Sequence, residues 1–201
     1  MKILKRLLLV GFSFALFFAG VGIADKILTK QSDQFKDEVV VKVEEKKEEV
    51  KKEEVLMMPV KDNIGIVRYF YDKDSDPVKQ EQSLVLFEGV YRANQGVDFA
   101  CNNEVFDVYA SISGKVTSVK NDPILGYVVS ISKDDIIITY ESLSKVNVKV
   151  NSEVKQGDKI GSSGENMYEA DLKNHLHFML EKKDKIYNPE KYFDKELSTI
   201  K

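Results

Sequence analysis

Histidine, cysteine and tryptophan are scarce in this chain of 201 residues, which contains two histidines, one cysteine and no tryptophan. A single cysteine excludes an internal disulfide framework, and Cys101 lies too far along the chain to be the lipid-modified first residue of a lipoprotein. With only His175 and His177 available, a metal site can draw on at most two imidazoles. An excess of basic charge is also missing, since the formal net charge is −3. This balance argues against a nucleic-acid-binding protein.

The longest uncharged stretch lies near the N-terminus. Residues 7–24 carry no charged side chain, and an apolar run of this length spans the roughly 30 Å hydrocarbon core of a bilayer as a helix. Basic residues precede this run, so the positive-inside rule places residues 1–6 in the cytoplasm and the residues that follow the run outside. Small residues at 22–24 leave a cleaved signal peptide as an alternative. The uncharged run is longer, however, than the apolar region of a signal peptide, which usually has about 7 to 15 residues. We therefore expect an uncleaved single-pass anchor.

Residues 25–61 form a linker rich in lysine and glutamate. Its blocks of charge tend to put like charges four residues apart, which weakens an isolated helix, so a marginal helix and an extended tether both stay open. The remainder, residues 62–201, is long enough to bury about two-thirds of its unfolded surface and to support its own core. We therefore predict one exported domain over 62–201.

From residue 62 onward, segments of alternating apolar and polar residues are separated by glycine and aspartate residues, which is typical of short strands joined by turns. Strands are expected at 115–119, 127–131 and 136–140, with a turn at 133–135 and a further alternation at Val146, Val148 and Val150. The only helical feature expected is a short turn within 169–174. We predict an all-β domain, an antiparallel sandwich or a partly open barrel.

Two short motifs carry the functional signal: residues 94–98 read Asn-Gln-Gly-Val-Asp, and residues 175–178 read His-Leu-His-Phe. On a strand, residues at an even spacing share a face, so Asn94 would lie beside Asp98, and Cys101 would point away. A catalytic zinc requires three imidazole or carboxylate ligands and an open position for water. The neutral amide of Asn94 is a poor replacement for an imidazole, so the set is one ligand short.

The two motifs resemble the halves of the metal site in LytM-type peptidoglycan endopeptidases of peptidase family M23, which read His-x-Gly-x-Asp and His-x-His-Phe. Asn94 stands where that family has its first zinc histidine. The family's Tyr-x-His-Leu segment corresponds to residues 140–143, so Ser142 stands at the position of a catalytic histidine. The resemblance covers roughly residues 88–193 and implies the LytM fold with residual metal ligands at Asp98 and His177.

The resemblance implies a scaffold that has kept its fold and lost its chemistry. A vestigial groove without catalytic residues, zinc or any other cofactor is expected. Two alternatives stay open: an active zinc metalloendopeptidase, which would need a further ligand, and a module that binds peptidoglycan without cleaving it. The groove residues are Asn94, Asp98, Ser142, His175 and His177.

The anchor, the Lys/Glu linker and one degenerate LytM domain together resemble the non-catalytic LytM proteins of sporulation. That resemblance implies a forespore membrane protein whose exported domain binds stage III sporulation protein AH of the mother-cell membrane. The two would bridge the intermembrane space during engulfment and line a channel between the cells, with stoichiometry and ring formation left open. A strand edge or the charged loop 165–174 is the expected docking surface. The loop residues singled out are Glu165, Glu169 and Asp171.

Overall fold

The computed structural model describes residues 53–61 and 63–201. The predicted cytoplasmic N-terminus (1–6), the predicted membrane span (7–24) and the predicted linker up to residue 52 lie outside the described residues. Among the residues described, no helix combines the length and the apolar character that crossing a bilayer requires.

Twelve short strands and one short α-helix make up the regular structure of the described residues, which confirms the all-β prediction. The helix is α1 (Pro77–Gln82), and 3-10 turns lie at Ala170–Leu172, Pro189–Lys191 and Leu197–Thr199. The strands are β1 (Gly65–Arg68), β2 (Leu84–Phe87), β3 (Val90–Ala93), β4 (Val97–Ala100), β5 (Asp107–Tyr109), β6 (Gly114–Asp122), β7 (Gly126–Lys133), β8 (Ile136–Val146), β9 (Glu153–Val154), β10 (Lys159–Ser163), β11 (Leu176–Lys182) and β12 (Lys185–Tyr187).

Ten of the strands form one antiparallel sheet with the main order β1-β4-β11-β8-β7-β6-β9. β12 pairs with β11, and β10 pairs with both β8 and β5, while β2 and β3 form a separate hairpin. This order sets β4, β11 and β8 side by side. The two sequence motifs and the segment around Ser142 therefore meet in space although they are far apart in the chain.

The predicted strands at 115–119, 127–131 and 136–140 lie within β6, β7 and β8, and the predicted turn joins β7 to β8. Asp134 in that turn has φ +53°, a conformation that aspartate adopts more readily than most residues. The alternation of Val146, Val148 and Val150 does not continue as a strand. The chain leaves β8 there, with the Asn147 N–H donating to the Ile160 carbonyl at 2.8 Å, and Val148 and Val150 lie in the following loop.

Helix α1 is an element that the alternating pattern does not indicate. Asp76 caps it by accepting a hydrogen bond from the Lys79 N–H at 3.0 Å, and Pro77 occupies the first turn. Both are start signals of helices. None of its residues is buried, so it has no apolar face from which periodicity could reveal it.

The hydrophobic core lies on one face of the sheet and is built around aromatic rings. Phe178 of β11 packs edge-on against Tyr140 of β8, with ring centroids 5.4 Å apart, and against Phe99 of β4, at 6.4 Å. All three side chains are fully buried. Because side chains alternate along a strand, their neighbours Glu141, Asp98 and His177 project from the opposite face.

The segment before residue 62 takes part in this domain. Leu56 is fully buried in the core, and its N–H donates to the Lys195 carbonyl at 2.9 Å. The Met57 N–H donates to the Ser111 carbonyl at 3.0 Å. Residues 53–61, predicted as the end of the linker, thus pack against the domain because they contribute apolar side chains that its core buries.

Candidate functional site

A row of charged side chains crosses four neighbouring strands. Arg68 of β1 is paired with Asp98 of β4, Asp98 with His177 of β11, and His177 with Glu141 of β8. Residues directly opposite one another in an antiparallel pair project from the same face. The four side chains therefore form one line of alternating sign, in which Arg68, Asp98 and His177 are buried.

Both carboxylate oxygens of Asp98 are engaged within the site. Oδ1 lies 2.8 Å from Nδ1 of His177, and Oδ2 accepts a hydrogen bond from the Asn94 side-chain amide at 2.9 Å. The same amide donates to the Tyr69 carbonyl at 3.1 Å. Asn94 is thus next to Asp98 as predicted, but not along a shared strand face, since it lies in the connection between β3 and β4.

Gly96 allows this connection to pass close to the second motif. A Cβ atom at Gly96 would stand 2.4 Å from the Phe178 carbonyl oxygen and 2.8 Å from the imidazole of His177. No residue with a side chain fits there without displacing backbone. The glycine of the first motif is therefore required by the closeness of the two motifs.

His175 and Ser142 form a second, fully buried part of the site. Nε2 of His175 lies 2.8 Å from Oγ of Ser142, which in turn accepts a hydrogen bond from the Asn166 amide at 2.5 Å. Nδ1 of His175 donates to the Lys173 carbonyl at 2.7 Å. Ser142 is thus a hydrogen-bond partner of His175 and offers no imidazole.

Glu169 enters the site from the loop 165–174. Its carboxylate lies 3.3 Å from Nε2 of His175, 3.5 Å from Nδ1 of His177 and 3.4 Å from Nη1 of Arg68. Its side chain is 1% exposed, whereas the side chain of Asp171 is 60% exposed and accepts a hydrogen bond from Nη2 of Arg68 at 2.5 Å.

Of the three loop residues proposed as a docking surface, Glu165 and Asp171 reach solvent and Glu169 does not. Glu169 precedes the 3-10 turn at 170–172 and Asp171 lies within it, and the carboxylate of Glu169 is buried whereas that of Asp171 is exposed. No local pattern distinguishes the two. Docking at Glu165 and Asp171 stays a prediction, and Glu169 belongs to the buried site.

Arg68 is the other site residue that the motifs do not reveal. It is the only charged residue in the run 63–71, and the residue is 7% exposed. Charged side chains are almost never buried unless they are paired. A lone charge inside an apolar strand was therefore the available signal for a buried ion pair.

Burial and charge act against each other on the ionisable groups. Burial by itself disfavours the charged form of His177, but the negative charge of Asp98 and the hydrogen bond to it raise the pKa of His177 to about 10. Burial likewise opposes the charge of Glu169, yet the hydrogen bond from His175 and the charges of His177, His175 and Arg68 lower its pKa to about 2. Glu169 is thus surrounded by three basic side chains, one of which, His177, also pairs with Asp98.

The pKa values of His175, Glu141 and Asp98 are also raised. Burial disfavours a charged His175, but the hydrogen bond to Glu169 outweighs it and raises the pKa of His175. Burial raises the pKa of Glu141, with His177 opposing the rise. Burial also raises the pKa of the Asp98 carboxyl against the attraction of His177. The proton shared by that pair stays with the imidazole, because both Asp98 oxygens accept hydrogen bonds.

The distances alone would suit a metal ion, since Asp98, Glu169 and His177 bring one ligand atom each within 4.8 Å of one another. The bonding of these atoms does not suit one. A metal requires deprotonated ligands, whereas Nδ1 of His177 shares a proton with Asp98, and Glu169 is paired with Arg68. The side-chain amide of Asn94 donates a hydrogen bond to Asp98. The residues present therefore do not fit a catalytic zinc.

A groove of about 580 Å³ opens over part of this site. Asn94 and His177 reach it, while Asp98, Ser142 and His175 lie buried below. Its wall includes the hairpin β2–β3, whose Phe87 packs on Tyr168 with ring centroids 5.1 Å apart. The lining residues are Arg92, Ala93, Asn94, Gln95, Glu141, Tyr168, His177 and Met179.

Cys101 takes no part in the site. It follows the last residue of β4 and packs, half-buried, against the hydrophobic core. This agrees with the expectation from its odd spacing to Asp98.

The fold and the motif residues together define a member of peptidase family M23, whose family model matches residues 92–189. The chain belongs to this family. It is 40% identical over 151 residues to stage II sporulation protein Q of Bacillus subtilis (strain 168), an alignment that covers 73% of this chain and 53% of that protein. The chain thus spans about half the length of this curated relative.

Two solved structures illustrate the range of the likeness. A chain from the structure of the SpoIIQ–SpoIIIAH pore-forming complex matches with a TM-score of 0.71 and 40% identity, over 73% of this chain and 96% of that chain. A zinc-containing peptidase from Vibrio cholerae matches with a TM-score of 0.55 and 27% identity, over 68% of this chain and 39% of that chain. The resemblance inferred from the motifs is confirmed.

Proposed function

We propose that this chain is a non-catalytic LytM-domain protein of sporulation whose exported domain binds stage III sporulation protein AH across the space between forespore and mother cell. The observation that carries the proposal is the match to a chain solved in the SpoIIQ–SpoIIIAH complex, at 40% identity over 96% of that chain. A second structure of such a complex matches at 39% identity over 96% of its chain. The role in engulfment and in an intercellular channel follows from this partner.

The lack of catalysis is supported by two side chains. Asn94 donates to Asp98 where the family has a zinc-binding imidazole, and Ser142 bonds to His175 where the family has a further histidine. Metal-assisted hydrolysis depends on a bound water activated by the ion. Losing even one transition-state donor costs about 10² to 10³ in rate, and here the ligand set is incomplete as well. We propose that the chain holds no zinc and no other cofactor.

The edge of β6 is a docking surface that suits an extended partner segment. On its outer side, Gly114 and Lys115 pair with β9, and Val116 bonds to Asn151 and Ser152. Among the described residues, no strand pairs with that side over 117–122. Unpaired backbone groups of an edge strand accept an added strand. We place the partner there in preference to the loop, where Glu169 points inward.

Calorimetric titration of the exported part of the chain (25–201) with the exported domain of stage III sporulation protein AH tests the proposal. We expect saturable binding. Absence of binding, with circular dichroism showing a folded β protein, would overturn the partner assignment. Co-sedimentation with purified sacculi in place of partner binding would favour the peptidoglycan-binding alternative, and release of soluble fragments from sacculi would favour an active peptidase.

Anchoring in the forespore membrane by residues 7–24 is part of the proposal. We expect the protein from sporulating cells to stay in the membrane fraction after carbonate extraction and to keep its first residues. Terminal sequencing that finds a mature chain beginning near Asp25 would show a cleaved signal peptide instead.

A further inference from the structure

We propose that Arg68 acts as an internal cation: it takes the place of a metal ion beside Glu169 and keeps metal out of the site formed by Asp98, Glu169 and His177. This goes beyond the absence of catalysis, because a site that lacks one family ligand could still hold a metal through Asp98, Glu169 and His177. It does not depend on the identity of the partner.

The position of Arg68 supports this role. It is paired with Asp98 across β1 and β4, and only 8% of its side chain is exposed. Nη1 lies 3.4 Å from Oε1 of Glu169, and Nη2 donates to Asp171 at 2.5 Å. A guanidinium stays protonated in proteins at any ordinary pH. A permanent positive charge therefore lies next to Glu169, one of the three candidate ligands, and belongs to the residue that is paired with Asp98 across the strands.

The charges of the neighbouring side chains explain why an arginine occupies this position. Asp98 and Glu169 are both buried and both contact His177. His177 is shared by two buried carboxylates, and an uncompensated buried charge is strongly destabilising. His175 also contacts Glu169, but an imidazole carries a positive charge only while it is protonated. In a metal site the ion supplies a permanent charge, and here the guanidinium supplies it, with the Glu169 carboxylate as its partner.

Removing the charge of Arg68 should therefore expose a latent metal site. One imidazole and two carboxylates with an open fourth position is a ligand set that zinc accepts, and the three atoms already lie within 4.8 Å of one another. Arg68→Met keeps much of the length of the side chain without its charge, and Arg68→Lys is the matched control that keeps the charge. Arg68→Met combined with Glu169→Gln removes both the positive charge that excludes metal and one of the three candidate ligands.

The full chain, purified in detergent, is equilibrated with zinc at neutral pH and dialysed, and bound zinc and the unfolding temperature with and without zinc are measured. We expect about one zinc per Arg68→Met chain and a rise in its unfolding temperature with zinc. The wild type, Arg68→Lys and the double variant should show neither. Stoichiometric zinc in the wild type, or a folded Arg68→Met protein that binds none, would overturn the proposal.

Arg68→Gln guards against a folding failure of Arg68→Met. It removes the charge but keeps an amide that can bond to Glu169, and the same zinc uptake is expected. Should both variants be unfolded without metal, zinc should restore the β spectrum in circular dichroism, and failure to restore it would also refute the proposal. Binding of stage III sporulation protein AH is measured separately, so a failure of the partner assignment leaves this result unaffected.

Discussion

Oδ2 of Asp98 accepts a hydrogen bond from the Asn94 amide at 2.9 Å, so one oxygen of this carboxylate is held by a neutral neighbour. Oδ1 of the same carboxylate is occupied by His177 at 2.8 Å. Ligation by Asp98 would therefore require that at least one of these bonds be broken. The consequences for metal binding, stability and pH dependence can each be measured.

Restoring the family histidines should bring back metal binding before activity. In an Arg68→Met background, which frees Glu169 from the guanidinium, Asn94→His adds an imidazole to Asp98, Glu169 and His177, and four protein ligands close the coordination shell as in a structural zinc site. We therefore expect zinc uptake without hydrolysis, and the same for Asn94→His with Ser142→His. Adding Glu169→Gln should open a position for water and give cleavage, measured as loss of turbidity of sacculi. Hydrolysis by Asn94→His alone would contradict the roles given to Ser142 and Glu169.

The ion pair of Arg68 and Glu169 should be strongly coupled in stability. Truncating Arg68 leaves Glu169 with the two imidazoles only, and truncating Glu169 leaves Arg68 with the exposed Asp171 only. Arg68→Met and Glu169→Gln should therefore each lower the free energy of unfolding, by at most the roughly 3 to 5 kcal/mol of a buried charge left unpaired. The double variant should lose less than the sum, because the lone charge is gone. Urea denaturation provides all values. Additive losses would show that the two groups, 3.4 Å apart, act independently.

Stability should fall on both sides of a mildly acidic plateau. The pKa of His177 is raised from 6.5 to about 10, so its contribution is full below pH 6.5 and is lost as the pH rises toward 10. The pKa of Glu169 is lowered from 4.5 to about 2, so its contribution is full above pH 4.5 and is lost as the pH falls toward 2. Urea denaturation from pH 3 to about 10 should show the maximum between these limits. A His177→Gln variant should lose the alkaline limb, and an unchanged limb would assign it to another group.

Gly96 should tolerate no side chain. Gly96→Ala puts a Cβ 2.4 Å from the Phe178 carbonyl oxygen, and relief of such overpacking costs about 1 to 3 kcal/mol or more. Gly65→Ala is the matched control, since nothing lies within 4 Å of a Cβ at that position in β1. Thermal unfolding should show a clear loss for Gly96→Ala and little change for Gly65→Ala. Equal behaviour of the two would mean that the motif connection can move away from His177.

Docking on the edge of β6 should be sensitive to proline. Neighbouring N–H groups of a strand point to opposite sides, and proline removes one donor, so either Lys120→Pro or Asn121→Pro removes an outward donor and keeps the pairing with β7. That variant should stay folded by circular dichroism and lose partner binding in calorimetry. Glu165→Lys should bind normally. The reverse pattern would place the partner on the loop.

The strands and the motif sites were predictable because each depends on local pattern. Alternation places β6, β7 and β8, and the resemblance of the two motifs to one metal site places Asn94, Asp98 and His177 together. Val148 and Val150 continue the same alternation, yet the chain turns away after Val146 because Asn147 bonds to Ile160, a long-range contact that alternation does not encode.

Arg68 and Glu169 could not be assigned from motifs for a related reason. The two residues are partners although they lie 101 positions apart in the chain. The pairing of β1 with β4 and the fold of the loop around 170–172 bring them together. Glu169 stands among other charged residues in the sequence, with no local feature that separates a buried carboxylate from a solvated one. Tertiary packing decided its role.

The line of charges across β1, β4, β11 and β8 also bears on how such a domain can evolve. Its members come from separate elements, and each is stabilised by the others. A single substitution that removes Arg68 lowers stability before it can bring any new activity. Under the proposed function, gain of peptidase activity therefore needs several changes at once, and selection that acts on single substitutions favours the existing arrangement.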